Sequence, residues 1–265
     1  MTRLHTPWRT IAALILLAVV AAVCVSLGNW QLRRAAEREG VAAAIQAGRE
    51  QAPLRLAPGT PRGQLQDWRR ARASGIWLDT LTVLLANRNH QGRPGFWVAT
   101  PLLLQADSRS ALLVLRGWIP RPPGAGQVLP PPAARGGQAI EGQLVSRVPR
   151  LFELWTFGGP SASALPQPFP AAGREPPQVQ NLDLSDYARA TGLQLLPVVL
   201  EQTSAEPAAA HDAALVRDWP LPSIDADQNR GYALQWFSFA AIAGAAWLVV
   251  AWRALKKRRV APPSA

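Results

Sequence analysis

Gly231 to Trp252 reads GYALQWFSFAAIAGAAWLVVAW. The stretch carries no charge and stops against Arg253 and the run Lys256, Lys257, Arg258, Arg259. A bilayer core about 30 Å thick needs roughly 20 apolar residues in a helix. The stretch is long enough, so it predicts a membrane-spanning helix over 231–252. Its first turns are less apolar than the rest. Tyr232, Gln235 and Trp236 stand at i, i+3 and i+4 and therefore share one helix face. Such a face either marks the membrane interface or presents something to a partner.

A second apolar block, Ile11 to Leu27, lies near the other end and reaches Leu32 if the polar turn Gly28-Asn29-Trp30-Gln31 is included. It predicts a span over 11–32. A cleaved signal peptide is the weaker alternative, because the block is long for a signal core and Trp30 to Arg34 is a poor cleavage context. Cys24, inside the block, reads as a small apolar residue of a membrane helix. Arg3 and Arg9 precede the first span and the Lys/Arg run follows the second. The positive-inside rule then puts both termini in the cytoplasm. Arg33 and Arg34 oppose this locally, but long intervening segments cross largely regardless of charge. No Arg/Ser-rich transit peptide is visible, which favours a bacterial inner membrane over an organelle. The expected organisation is a cytoplasmic N-terminus (1–10), a span (11–32), a periplasmic β-rich domain (33–230), a span (231–252) and a basic cytoplasmic tail (253–265).

The net charge of +11 suggests either nucleic acid or an anionic membrane surface. No nucleic-acid motif appears and no basic helix is interleaved with aromatics, so membrane lipid is the expected partner and nucleic acid is not. The single cysteine rules out an internal disulfide and covalent c-type haem attachment. His5, His90 and His211 lie far apart and show no metal-ligand spacing.

Between the spans, Glu37 to Gln51 reads as a helix continuing out of the membrane, and Pro53 to Gly63 as a linker. Trp68 to Ile119 is the strongest β region. Arg70 to Ala73 alternates and continues through Gly75 to Leu78; Leu81 to Leu85, Phe96 to Leu104 and Ala111 to Ile119 predict further strands, and the short connections favour antiparallel hairpins. Asn87 to Gly95 reads as a loop. Ala139 to Val148, Val179 to Leu182 and Leu195 to Leu200 predict further strands. Asp183 caps a short helix that Gly192 ends. Pro120 to Gly137 and Gly158 to Pro177 are irregular by composition. The fold class expected is therefore two transmembrane helices flanking an α+β, mainly antiparallel β, extracytoplasmic domain. Closure of the sheet into a barrel is open at this point.

No constellation for catalysis stands out. There is no Gly-x-Ser-x-Gly, no Cys/His pair and no phosphate-cradling glycine loop, so no enzyme is expected. Arg116-Gly117-Trp118, an arginine at the end of an apolar strand, admits two readings: a strand end with a bulge glycine, or an anion site or ion pair under a barrel. The polar aromatic turns at the outer membrane edges also admit two. They could form an aromatic belt without further function. That belt leaves unexplained Gln235, which sits inside the apolar stretch, and Gly28 and Gly231, which allow close approach.

The pattern resembles the Surfeit locus protein 1 family, membrane-bound assembly factors of haem-copper cytochrome c oxidase. Gly28-Asn29-Trp30-Gln31-Leu32 with Arg34 is similar to the family's motif at the end of its first span. Gly75, Leu85 with Asn87-Arg88, Pro94-Gly95-Phe96 through Leu102, and Val114 to Pro120 fit its strands in order. Gly231 to Phe237 resembles the start of its second span. The resemblance implies help with haem a insertion into oxidase subunit I. It also implies a haem-binding histidine just before Gly-Tyr. That position here is Asn229, with Arg230 beside it. Asparagine is a poor iron ligand, since neutral imidazole is the usual donor, so direct ligation by this chain is in question. The candidate cofactor-binding residues are Trp30, Gln31, Asn229, Arg230, Tyr232 and Trp236, with Gly28, Arg116, Gly117 and Gly231 as family-motif positions. Haem a is expected at most transiently, between Trp30 and Trp236, with Arg230 meeting a propionate. The expected partner is oxidase subunit I or its assembly intermediates. The alternative is a membrane-anchored periplasmic ligand- or protein-binding module unrelated to haem.

Overall fold

The computed structural model describes residues 7–105, 107–122, 124, 128–152, 164–166, 169–170, 175–204 and 215–260, with side chains through residue 256 in the last helix. The chain forms two compact units, residues 1–43 with 222–265, and residues 44–221.

The first unit is built on two helices, α1 (Pro7–Glu50) and α3 (Asp227–Val260). Both contain an uncharged run long and apolar enough to cross a membrane; the most apolar window has a mean hydropathy of 2.8 in α1 and 1.7 in α3. At 1.5 Å per residue the 44 residues of α1 extend about 66 Å, twice a bilayer core. The Ala-rich segment after the apolar block therefore continues the same helix, as its composition predicts. The two helices run antiparallel, Gly28 facing Phe237 and Arg38 reaching the Asp225 carbonyl. Cys24, Gly28 and Ala35 are buried along one stripe of α1, and Asn229, Ala233 and Ala243 along α3.

The second unit holds an eight-stranded sheet: β1 (Leu54–Leu56), β2 (Arg70–Trp77), β3 (Val83–His90), β4 (Arg93–Leu103), β5 (Ser110–Pro120), β6 (Gly137–Val145), β7 (Gln178–Val179) and β8 (Gln194–Gln202). Their order is β1-β2-β6-β8-β5-β4-β3-β7. The end of β2 also pairs with β4, through Ile76↔Leu103 and Trp77↔Leu102, so β2, β6, β8, β5 and β4 close into a ring.

The sheet is mixed, which corrects the expectation of a mainly antiparallel one. The pairs β1–β2, β3–β7 and β5–β8 are parallel. The short connections that suggested hairpins are real, but they join only neighbours in sequence. Strands β5 and β8 are brought together across a long intervening chain, and no local pattern encodes that pairing.

Two smaller corrections share a cause. The segment 87–95, rich in Asn, Gly and Pro, is not a loop. Strand β3 runs to His90, β4 starts at Arg93, and the turn is Gln91-Gly92 alone, with φ of 48° and 77°. Positive φ at both central residues suits the twist of a two-residue hairpin. Likewise Leu54–Leu56, inside the supposed linker, pairs with Ala71–Ala73. Composition marked these residues as turn-formers, and tertiary pairing overrode it.

Period-2 alternation sorts the apolar side chains to two faces. Ala71, Leu112, Val114, Ile140, Leu144, Val198 and Leu200 pack on one. Val83, Trp97, Leu113, Leu115, Tyr187, Val199 and Trp219 pack on the other. Strand β5 is buried on both. Helix α2 (Leu184–Thr191) contributes Tyr187, whose hydroxyl donates to the Leu81 carbonyl at 2.5 Å. Asp183 caps it by accepting from the backbone N–H of Ser185 and Asp186, and Gly192 ends it with φ 67°. The expected irregular stretch 158–177 falls partly outside the described residues, and His5 and His211 lie outside them.

Candidate functional site

Gln31, midway along α1, and Asn229, in the first turn of α3, meet through their side-chain amides. Asn229 Nδ2 donates to Gln31 Oε1 at 2.6 Å. Asn229 is buried, and its Oδ1 has no hydrogen-bond partner among the described residues. One turn back on α1, a Cβ added to Gly28 would lie 2.7 Å from the Phe237 ring. The glycine thus lets an aromatic ring rest on the helix backbone. A side chain at Gly231, by contrast, would meet open space. Arg230 pairs with Glu39 across the two helices and with Asp227 along α3 at 3.1 Å. Trp30 and Tyr232 are about half exposed, Gln235 is exposed, and Trp236 packs edge-on to Phe239 at 6.0 Å.

The fold therefore brings Gly28, Gln31, Asn229 and Arg230 into one neighbourhood. It adds residues that sequence reading missed: Phe237, Glu39, Arg38 and Asp225. Phe237 had a signal, an aromatic in an antiparallel helix facing a glycine. Glu39 had none, because its partner Arg230 lies 191 residues away.

In the second unit, Arg116 is fully buried in mid-strand rather than at a strand end. Its guanidinium stands 5.4 Å from the Trp77 ring centroid, donates to the Pro131 carbonyl at 3.1 Å and lies 3.9 Å from Asp79 Oδ1. Gly117 has φ 155° beside a register shift between β4 and β5, and a Cβ there would sit 2.8 Å from Leu215. The bulge and the ion pair, two readings of the sequence, are parts of one arrangement: the extra residue of the bulge is the buried arginine.

A second buried arginine, Arg88, lies over Trp97 with 4.4 Å to the ring centroid and donates to the Gln180 carbonyl at 3.1 Å. Burial lowers its pKa to about 10. Trp118 Nε1 donates to the Arg88 carbonyl, and His90 stacks near Trp118 at 5.2 Å. Asn87 precedes Arg88 with φ 61°, at the bulge between Leu85 and Arg88. The Asn-Arg of the sequence motif is thus a bulge that turns a cation inward onto tryptophan.

Residues 18–241 match the sequence profile of the SURF1 family. The chain belongs to the SURF1 family. Among its relatives are the uncharacterised SURF1-like proteins of Mycobacterium bovis and Mycobacterium tuberculosis. Each is 26% identical over 251 residues, covering 93% of this chain and 84% of the relative. The SURF1 match starts inside α1, takes in the whole sheet and ends inside α3, so it contains every motif from which the resemblance was read.

For a SURF1 protein, the neighbourhood of Asn229 is where a haem would be sought. The residues present do not fit one. The position expected to hold imidazole carries an amide whose nitrogen is committed to Gln31. Arg230, expected to meet a propionate, already faces two carboxylates. The space over Gly28, where a flat macrocycle would lie, is filled by Phe237.

Proposed function

We propose that this SURF1-family protein is a non-catalytic assembly factor for haem-copper cytochrome c oxidase. It acts on subunit I or its assembly intermediates at the stage when haem a is inserted. It resides in a bacterial inner membrane with both termini in the cytoplasm. The observation that carries this reading is the family match over residues 18–241 together with the Gln31–Asn229 contact between the two long helices. A polar pair is expensive in hydrocarbon and is retained where it sets how helices associate or meet a partner.

In this reading haem a is at most a passing guest, and the iron ligand comes from elsewhere than residue 229. The protein's own contribution is to hold the acceptor subunit competent through its helix pair. A deletion strain tests the proposal. Loss of oxidase activity and of haem a, with other respiratory enzymes intact, is expected. Unchanged oxidase activity and haem a content would sink it. Purified protein from haem a-producing cells should show no Soret band while supporting full oxidase activity. Full complementation by a chain with both long helices replaced by unrelated spans would instead favour a membrane-anchored binding module.

A further inference from the structure

The β domain carries a cleft of about 410 Å³ that no part of the proposed function uses. Its walls include Arg49, Trp68, Arg70, Arg72, Glu141 and Gln143. That volume lies within the usual range for ligand sites, roughly 300–1,000 Å³. We propose that this cleft binds an acidic, extended segment of a partner protein, with carboxylates on Arg49 and Arg70 and an apolar side chain against Trp68.

Charge comes first. Arg72 is neutralised by Glu141, Nε to Oε1 at 2.7 Å. Among the described residues, Arg49 and Arg70 have no carboxylate within ion-pairing distance, and both are exposed. Neighbouring Arg55, directly opposite Arg72 in the β1–β2 register, adds a third exposed cation on the same face. Arg49 and Arg70 line the cleft and Arg55 stands beside its Arg72 wall, so like charges gather on one face and repel one another. A guanidinium fork is matched to carboxylate or phosphate oxygens.

Backbone strain comes second. Trp68 has φ 68°, a conformation that bulky residues rarely adopt. Three features hold it there. Its N–H donates to the Leu144 carbonyl at 2.8 Å. Arg69, the next residue, donates its own N–H to the Gln66 carbonyl at 3.4 Å. Gly48 packs so tightly on the Trp68 backbone that a Cβ would lie 2.7 Å from its carbonyl carbon. A glycine at 68 would adopt this φ without cost. The tryptophan instead keeps a half-buried ring on the cleft wall, and strain of this kind collects where a side chain is needed.

Shape and charge together choose the ligand. Glu141 lies in the same cleft and repels a compact, multiply charged anion such as pyrophosphate. An extended chain can set separate carboxylates against Arg49 and Arg70, skip Glu141, and lay an apolar residue on Trp68. Acidic peptide is therefore favoured over free phosphate.

The test uses the full-length protein in nanodiscs of zwitterionic lipid at low ionic strength. The probe is a fluorescein-labelled octapeptide of alternating glutamate and glycine with one central phenylalanine, followed by anisotropy. Saturable binding is expected, with at least about tenfold weakening in Arg49→Glu/Arg70→Glu. An Arg62→Glu/Arg93→Glu control, with the same change in net charge, should bind like the parent. Trp68→Gly relieves the backbone and removes the ring; it should unfold no sooner than the parent yet bind several-fold more weakly. Three results would each overturn the proposal: no binding, equal losses in both double variants, or displacement by equimolar pyrophosphate.

Discussion

Asn229, in the first turn of α3, reaches across to Gln31, midway along α1 and 198 residues earlier in the chain, and donates to it a hydrogen bond of 2.6 Å. Neither residue has another polar partner nearby on its own helix, so each amide answers the other. Together with the Arg230–Glu39 ion pair, this contact sets the register in which α1 and α3 meet. Between apolar helices a bond of this kind is worth about 0.6 kcal/mol on average and up to about 1.7.

Removing one amide should therefore cost more than removing both. Gln31→Leu or Asn229→Leu alone should destabilise the helix pair by about 1 kcal/mol, because a buried amide is left without a partner. The double variant should recover part of that loss. Denaturant unfolding in detergent, arranged as a double-mutant cycle, measures the coupling. A coupling near zero would mean that the contact does not hold the helices.

Gly28 and Phe237 make a size-exchange pair. Gly28→Val drives a side chain into the Phe237 ring, which a Cβ already approaches to 2.7 Å. Overpacking of this kind costs about 1–3 kcal/mol. Adding Phe237→Ala should restore much of the stability and, if the helix pair carries the function, oxidase assembly with it. Thermal melts and oxidase activity in the complemented deletion strain report the two separately.

At Arg116, methionine should be tolerated better than lysine. The guanidinium is buried on Trp77 and bonds the Pro131 carbonyl, while Asp79 keeps half its side chain in solvent. Arg116→Met removes the charge and keeps most of the volume, leaving no buried ion behind. Arg116→Lys keeps a charge but loses the planar fork and the stack on Trp77. The lysine variant should be the less stable by about 1–3 kcal/mol. Unfolding midpoints compare them, and the reverse order would show that the charge itself holds the bulge.

Glu201 gives a pH dependence of definite sign. Burial raises its pKa, the Gln143 amide that donates to it at 2.7 Å opposes this, and the Asp67 charge raises it further. The folded state then binds the proton more tightly than the unfolded state. Stability contributed here is greatest in acid and falls as pH climbs from the ordinary glutamate range through the raised value. Glu201→Gln should flatten that fall, being more stable than the parent at neutral pH and no better at low pH. Melting curves across pH check both limits.

Much of this architecture was legible before any coordinates. The long apolar runs, the alternation in β2, the β-rich runs of β4 and β5, and the Asp183 cap are local features, set by residues within a few positions of one another. Periodicity and capping report such features directly. The motif order pointing to the family is equally a property of the chain as written. The loop assigned to 87–95 and the linker around Leu54 failed for the converse reason. Their composition favours turns, but cross-strand partners supplied by Ala71–Ala73 and by the rest of the hairpin outweighed that preference.

What the sequence by itself determined, then, was two hydrophobic helices, a β-rich segment between them, and a short capped helix within it. Tertiary structure alone decided that β5 lies parallel to β8, that β2 closes on β4, and that Arg116 and Arg88 turn inward onto tryptophan. It alone matched Gln31 to Asn229 and Glu39 to Arg230. The reason is physical. A contact between distant segments is stabilised by both partners at once, and neither carries a local trace of the other until the chain has folded.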